Sequence, residues 1–288
     1  MREEMIKKGL VLEGGAMRCM FTCGVIDVMM EHGIVLDGAI GVSAGAGVGV
    51  NYKSHQIGRG IRYNKRFCND KRYGGIYSYL KTGNLFSAEF CFKEVPLVHD
   101  LFDYETYLQD PMEYYITCTN IETGEPVYWK FEDQGVEVGL DWIRAGSAMP
   151  VVSKIVEIDG MKLLDGGIAD SIPLKHFESL GYNKNIVVLT QPQGYIKEPN
   201  GLMPIIKRKY KQYPKLVEAM ANRHIMYNET IQYILEKEKA GEVYVIRPSE
   251  KLPIGRVEKD PNTLQVVYEI GRAVALERIE EIKKFLGE

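Results

Sequence analysis

Between Leu36 and Val50 the chain reads LDGAIGVSAGAGVGV, placing five glycines around a single serine, Ser43. Glycine disfavours helix and gives a strand little to pack, so such a concentration narrows what the stretch can become. Two structures accommodate it. One is a sharp strand-to-helix turn that exposes the serine as a nucleophile; the other is a small-residue stretch that lets two elements pack closely, with no chemistry. Gly41-Val42-Ser43-Ala44-Gly45 has the G-x-S-x-G spacing of a nucleophile elbow. In such an elbow the strain sits at the serine, and the flanking glycines give the backbone room. The hydroxyl then stands at a helix N-terminus, where the dipole favours developing negative charge.

The surrounding pattern supports a turn of that kind. Gly9 to Leu12 reads as a short buried strand, followed by a Glu13-Gly14-Gly15-Ala16 turn. The next segment, RCMFTCGVIDVMMEHG, is apolar on nearly every face and ends at Gly33, which predicts a buried helix. Ala39 to Val42 is a second strand, and a small-residue helix follows Ser43. Strand, turn and helix repeated twice signal a parallel α/β sheet. Further on, EYYITCTNI (113–121) and PVYWKF (126–131) read as strands joined at Glu122-Thr123-Gly124. IVEIDGMKLLDGG predicts a hairpin turning at Asp159-Gly160, its second arm ending at Asp165, and NIVVLTQ (185–191) a buried strand. Beyond about residue 200 helical patterns dominate, over 204–239 and 261–285, with one strand, EVYVIRP, between them. The stretch PQGYIKEPNG marks a boundary between residues 1–195 and a mainly helical extension, 196–288.

A serine nucleophile needs a proton acceptor and an oxyanion site. The loop Glu13-Gly14-Gly15-Ala16-Met17-Arg18 lacks the Gly-Lys-Ser/Thr of a phosphate loop. It also lacks the second and third glycines of a dinucleotide fingerprint. Any backbone N–H can hold an oxyanion, so that role survives beside the simpler one of a tight packing turn. None of the five histidines lies in a distinctive neighbourhood. Asp165-Gly166-Gly167 is better placed, because it ends an apolar arm and its glycines allow close approach of another loop. Aspartate is a weak base, and serves only where burial raises its pKa and proton transfer is concerted with bond formation. It also reads as a plain turn-forming residue.

Together the glycine-rich loop, the G-x-S-x-G elbow and the distant Asp-Gly-Gly resemble the patatin-like phospholipase family, over residues 8–190. The stretch RAGSAMPVVSKIVEIDGMKLLDGGIADSIPL (Arg144–Leu174) resembles that family's segment around its catalytic aspartate, where an Ala/Ser-rich helix ends at a proline, here Pro150. The resemblance implies a three-layer α/β/α sandwich with the catalytic domain in 1–195. It also implies a Ser–Asp dyad acting on lipid acyl esters with no metal or cofactor. Ser43 would be the nucleophile and Asp165 the base, with the amides of Gly14, Gly15 and Ala16, aided by Arg18, as the oxyanion hole. Gly41, Gly45, Gly166 and Gly167 complete the motifs. The family loop carries a third glycine where Ala16 stands and another glycine where Cys19 stands. Alanine at positive φ costs about 1 kcal/mol or more. Two rivals are a Ser-His-Asp esterase using His176 or His224, and a catalytically silent lipid-binding or scaffold protein.

The net charge of −3 argues against a dedicated nucleic-acid binder. The five cysteines form no CxxC pair and read as reduced core residues of a cytoplasmic protein. Cys19 and Cys23 would share a helix face, without a ligand beside them at metal spacing. The N-terminus, MREEMIKKGLVLEGG, lacks the pattern of a secretory leader, and no apolar run approaches the ~18–20 residues of a membrane span. Residues 51–82 are locally basic (Lys53, Arg59, Arg62, Lys65, Arg66, Lys71, Arg72 and Lys81) with interleaved tyrosines, and KRKYKQYPK (207–215) is similar. Such stretches suit an anionic membrane surface, and the expectation is a lipid-facing cap over 51–100 beside Ser43. They also suit single-stranded nucleic acid, or a solvated face paired with the acidic C-terminal helices.

Overall fold

The computed structural model describes residues 6–288. Residues 1–5, on which the reading of the N-terminus partly falls, lie outside the described residues. The strands are β1 (Lys7–Leu12), β2 (Gly38–Val42), β3 (Glu113–Asn120), β4 (Pro126–Lys130), β5 (Val156–Ile158), β6 (Met161–Asp165), β7 (Tyr182–Val188) and β8 (Val243–Ile246). The helices are α1 (Cys19–Glu31), α2 (Ala44–Lys53), α3 (Arg59–Phe67), α4 (Ile76–Thr82), α5 (Tyr104–Gln109), α6 (Val136–Gly146), α7 (Leu174–Ser179), α8 (Met203–Lys209), α9 (Pro214–Lys239), α10 (Pro261–Glu277) and α11 (Ile279–Leu286). A π-helical segment, Phe90–His99, lies between α4 and α5.

All eight strands join one sheet in the order β5-β6-β3-β2-β1-β7-β8, with β4 also paired to β3. The run β3-β2-β1-β7-β8 is parallel. Its central strands are buried on both faces, as a parallel sheet between two helical layers requires. Along β1 the side chains alternate: Leu10 and Leu12 enter one apolar core, Val11 the other. The larger core takes residues from α1, α2, α6 and α10; the smaller takes Leu174 and Phe177 of α7 with Tyr227 and Ile234 of α9. The architecture is therefore a three-layer α/β/α sandwich, with helices dominating the last third of the chain.

That last third shares the same core. β8 extends the sheet beside β7, and α10 packs directly on α1. The two helices approach so closely that a Cβ on Gly24 would lie 2.2 Å from the Tyr268 carbonyl oxygen. One on Gly271 would lie 2.1 Å from that of Phe21. Leu264 and Val267 of α10 are fully buried. At about 1.5–3 kcal/mol for each such side chain, the extension is part of what stabilises the sheet rather than an ornament on it.

Three expected elements differ in extent. The helical run over 204–239 is broken between α8 and α9, because Pro214 can begin a helix but cannot continue one through its missing N–H. The run over 261–285 divides at Arg278, which caps both α10 and α11. The strand expected to end at Gln191 ends at Val188, where the Val188 carbonyl accepts the Glu13 N–H at 3.0 Å and Thr190 turns toward the same residue.

Candidate active site

The geometry of the site follows from how strands share β3. β4 occupies one edge of β3, opposite Tyr115–Thr119. β2 pairs along Glu113–Thr117 and β6 along Cys118–Asn120, so both must lie on the other edge. β2 runs parallel to β3 and stops with Val42 opposite Thr117. β6 runs antiparallel and stops with Asp165 opposite Cys118. The two strands thus meet end to end, and the residue following one faces the last residue of the other.

At that meeting point Ser43 Oγ donates a hydrogen bond of 2.6 Å to Asp165 Oδ2. Ser43 has φ 55° and ψ −131°, a conformation that L-residues rarely adopt and that marks a strained elbow. Asp165 is buried; its other oxygen accepts the Gly167 N–H at 2.8 Å, and its carbonyl accepts the Thr119 hydroxyl at 2.9 Å. Burial pushes the Asp165 carboxyl above the usual carboxylate range. The Ser43 hydroxyl, the Arg223 cation, the Gly167 amide and Arg256 draw it partly back.

The glycine-rich loop lies against the elbow. A Cβ on Gly14 would sit 2.8 Å from the Val42 carbonyl oxygen and 2.9 Å from Ser43 Cβ. Among the described residues no protein acceptor takes the N–H of Gly14 or Gly15. The loop is closed by the Arg18 N–H on the Gly15 carbonyl at 3.1 Å. Ala16 does adopt positive φ, 49°, so the strain foreseen for this departure from the family loop is present. Ala16→Gly is therefore expected to stabilise the fold by up to about 1 kcal/mol, read as a rise in thermal midpoint. An unchanged or lower midpoint would contradict the strain argument. The second departure is absorbed differently: the Cys19 thiol donates to the Glu13 carbonyl at 3.7 Å, and burial pushes its pKa up to about 12.

Glu13, to which the sequence assigns no role, anchors this loop. Its buried carboxylate accepts from the Thr190 N–H (2.6 Å), the Thr190 hydroxyl (3.0 Å) and the Tyr227 hydroxyl (2.7 Å). The loop after β1 is thereby tied to the end of β7 and to α9. Its acidic character at the head of the Gly-Gly turn is the signal that singles it out. Arg223, also on α9, donates from Nε to the Gly167 carbonyl and braces the aspartate loop. Nothing in its local sequence distinguishes it.

Ser43 opens onto an apolar cavity. Met17, Val48, Phe86, Phe92, Leu140 and Ile143 are among its walls, and the segment between α3 and α5 supplies much of its cover. Gly47 also lines it, and a Cβ placed there would meet only Ile143 Cγ2, at 3.7 Å. Close packing accounts for Gly49 instead, where a Cβ would lie 2.5 Å from both Leu12 Cδ1 and the Tyr114 hydroxyl.

Part of the basic cluster at 51–82 is drawn into the fold: Lys53 and Arg59 are buried, while Arg62, Arg66, Lys71, Arg72 and Lys81 are exposed. Arg59 and Arg62 share Asp100, Arg72 pairs with Asp70 and Glu94, and Lys53 is buried against the Asp110 and Met112 carbonyls. Its ion-pair partners lie in the same and the neighbouring segment, and Lys65 donates to Gln265 of α10 at 2.7 Å. The histidines of the rival triad make no hydrogen bond to the dyad. His176 stacks on Tyr128 at 3.5 Å, and the His224 Nδ1 is buried without a partner. All five cysteines are free, and among the described residues no group of three or more His, Cys, Asp or Glu could hold a metal ion. No helix among the described residues is long and apolar enough to cross a membrane.

Comparison with known proteins shows what the chain is similar to. A family model described as patatin-like phospholipase matches residues 10–177, and one described as a domain of unknown function (DUF6363) matches residues 213–287. The uncharacterized protein YjjU of Escherichia coli (strain K12) is 26% identical over 297 aligned positions, covering 97% of this chain and 79% of that protein. A lysophospholipase nte1 of Aspergillus oryzae is 26% identical over 298 positions, covering 96% of this chain but only 18% of that much longer protein. Among solved structures, VipD from Legionella pneumophila aligns with a TM-score of 0.47 at 13% identity, covering 96% of this chain and 67% of that one. Because the first family model spans more than half of the sequence and includes both the elbow and the Asp-Gly-Gly loop, the chain belongs to the patatin-like phospholipase family.

Proposed function

We propose that the protein hydrolyses lipid acyl esters through a Ser43–Asp165 dyad. The observation that carries this reading is the 2.6 Å hydrogen bond from a strained elbow serine to a buried aspartate, at the wall of an apolar cavity. Ser43 Oγ attacks the ester carbonyl as Asp165 takes its proton, a transfer favoured by a carboxyl already raised toward the pKa a base needs. The amides of Gly14, Gly15 and Ala16, with the Arg18 cation nearby, hold the tetrahedral oxyanion. The proton passes to the departing alcohol. Water then attacks the acyl-serine, returning its proton through Asp165 and releasing the fatty acid. Residues 1–195 carry this chemistry, and 196–288 brace it through Tyr227 and Arg223.

A cytoplasmic enzyme of this kind must reach lipid in a bilayer. We assign that contact to the face of α4 and α8. Ile76 (76% exposed) and Leu80 (79% exposed) stand out on α4 with Tyr77 and Tyr79, and Leu202 and Ile205 are exposed at α8. α4 also carries Lys81, and α8 carries Lys207 and Arg208. The loop at 151–154 joins the two helices: the Val151 N–H donates to Tyr210 at 2.9 Å, and the Lys154 N–H to Asn84 at 2.8 Å. Asn84 and Lys154 also line the cavity, so lipid drawn from this face has a short path to Ser43.

An ester series with a fluorophosphonate probe tests the reading. The probe is expected to label wild-type protein and not Ser43→Ala. Among simple esters kcat/KM is expected to rise by up to about fourfold per added methylene, from about 0.8 kcal/mol of burial each, until the cavity is full. Absence of labelling together with a flat chain-length series would favour the silent lipid-binding alternative.

A further inference from the structure

Outside the apolar cavity, four cations converge on the side of the dyad that faces the C-terminal extension. Arg18 comes from the glycine-rich loop, Lys197 from the segment after β7, Arg223 from α9 and Arg256 from the segment before α10. Arg223 bonds the Gly167 carbonyl, and its Nη2 would lie 3.0 Å from a Cβ placed on Gly167. Arg223 and Arg256 both stand close enough to Asp165 to act on its carboxyl. Lys197 in turn feels Arg223, Arg18 and Arg256. Its ammonium sits 4.1 Å from the centre of the Tyr227 ring, whose hydroxyl is on Glu13.

None of the four forms an ion pair among the described residues. The Arg18 Nε is buried with no hydrogen-bond partner. The two carboxylates at hand are already engaged, Glu13 by Thr190 and Tyr227, Asp165 by Ser43 and Gly167. Four positive charges therefore face two negative ones, each already accepting hydrogen bonds from other groups, which leaves an excess of cation beside the reacting serine. Burial and the three arginines lower the Lys197 pKa to about 8, against the pull of Glu13. Gathering like charges in this way disfavours the empty site and favours an anion that neutralises them. The cluster opens to solvent at Arg256, which is exposed, while Lys197 and Arg223 are half-buried.

We propose that Arg18, Lys197, Arg223 and Arg256 bind the phosphate of a phospholipid or lysophospholipid, holding the leaving alcohol of the ester on one side of Ser43 while the acyl chain fills the apolar cavity on the other. This rests on the ester-hydrolase reading and adds the substrate's head-group class, an anionic phosphate rather than a neutral glyceride. It also gives the extension a part in specificity, since three of the four cations belong to it. Guanidinium groups suit phosphate because they offer paired donors in its geometry. A nitrogenous head group beyond the phosphate would project into solvent past Arg256.

The test compares kcat/KM for a lysophospholipid and for a monoacylglycerol of the same chain, in wild type, Lys197→Met, Arg256→Gln and the double variant. The ratio of the two is expected to fall about tenfold for each lost charge, the usual scale of a charge-assisted hydrogen bond. Arg256→Lys is expected to keep most of it. A ratio that stays within about twofold of wild type in the double variant would overturn the proposal. A binding arm uses Ser43→Ala protein titrated with a short-chain lysophospholipid and with inorganic phosphate. Support is tighter binding of the lysophospholipid that is lost with Lys197→Met and Arg256→Gln. Inorganic phosphate bound as tightly as the lysophospholipid would assign the cluster to a free phosphate and overturn the lipid assignment. If wild type hydrolyses neither lipid, the dyad reading fails by itself, and the binding arm still decides this one.

Discussion

Ser43→Ala and Asp165→Asn are each expected to lower ester turnover by at least ~10³-fold, with the double variant no slower than the worse single one. The two groups act in one step, so removing either removes the step, and the losses do not add. Asparagine keeps an acceptor for the Gly167 N–H and is close in shape to aspartate, but it cannot take the serine's proton. The fold should survive and even gain. Burial raises the folded pKa of Asp165 above its unfolded value near 3.9, so the folded state holds the proton more tightly. The contribution of this carboxyl to stability is then complete below the unfolded pKa and is lost as pH rises through the folded one. At neutral pH the ionised side chain is a net cost, and Asp165→Asn is expected to raise the melting temperature there. The gain should vanish in acid. In wild type, kcat/KM should rise from the acid side on the ionisation of Asp165, and the shape of that limb should be the same in His176→Ala and His224→Ala. Loss of activity in a folded histidine variant, or turnover near wild type in Asp165→Asn, would remove the dyad.

Much of this arrangement is written locally in the chain, and what is not has a common cause. The elbow, the glycine-rich turn and the hairpin ending at Asp165 are each set by short-range signals: glycine spacing, apolar runs and turn residues. Asp159-Gly160, with φ of 51° and 74°, forms the turn its sequence announces. The encounter of β2 with β6 is different. It depends on both strands choosing the same edge of β3, which brings together residues 122 apart in a way that no local pattern specifies. The same distance hides the partners of Glu13, because Thr190 and Tyr227 are recognisable only once β7 and α9 lie beside β1. Counting charge along 51–82 overstates the free charge, since Asp100 and Glu94 arrive from the next segment to pair with Arg59, Arg62 and Arg72. The apolar side chains left exposed on α4 stand in a stretch that the sequence marks mainly by its charge.

The glycines of α2 separate the two uses that their sequence cannot. Gly45→Ala is expected to cut kcat by about 100-fold or more, with a stability loss of about 1–3 kcal/mol. Its added Cβ would fall 2.7 Å from the Glu13 carbonyl oxygen and 2.8 Å from that of Leu12. Both are main-chain atoms of the strand that leads into the glycine-rich loop. They cannot rotate away as a side chain tip does, so either the loop or the elbow must shift. A displacement of a few tenths of an ångström to an ångström there moves the Gly14 and Gly15 amides relative to Ser43 Oγ, and the loss should appear in kcat more than in KM. Gly47→Ala, two residues along the same helix, meets only Ile143 Cγ2 at an ordinary contact distance. There the methyl group should raise stability by about 1 kcal/mol through helix propensity. It also enters the cavity, so the preferred acyl chain should become shorter. Measuring kcat, the chain-length optimum and the melting temperature for both variants checks the assignment. A Gly45→Ala enzyme with wild-type kcat would mean that the carbonyls of β1 do not fix the elbow. A Gly47→Ala enzyme with an unmoved chain-length optimum would mean that the acyl chain does not pass along α2.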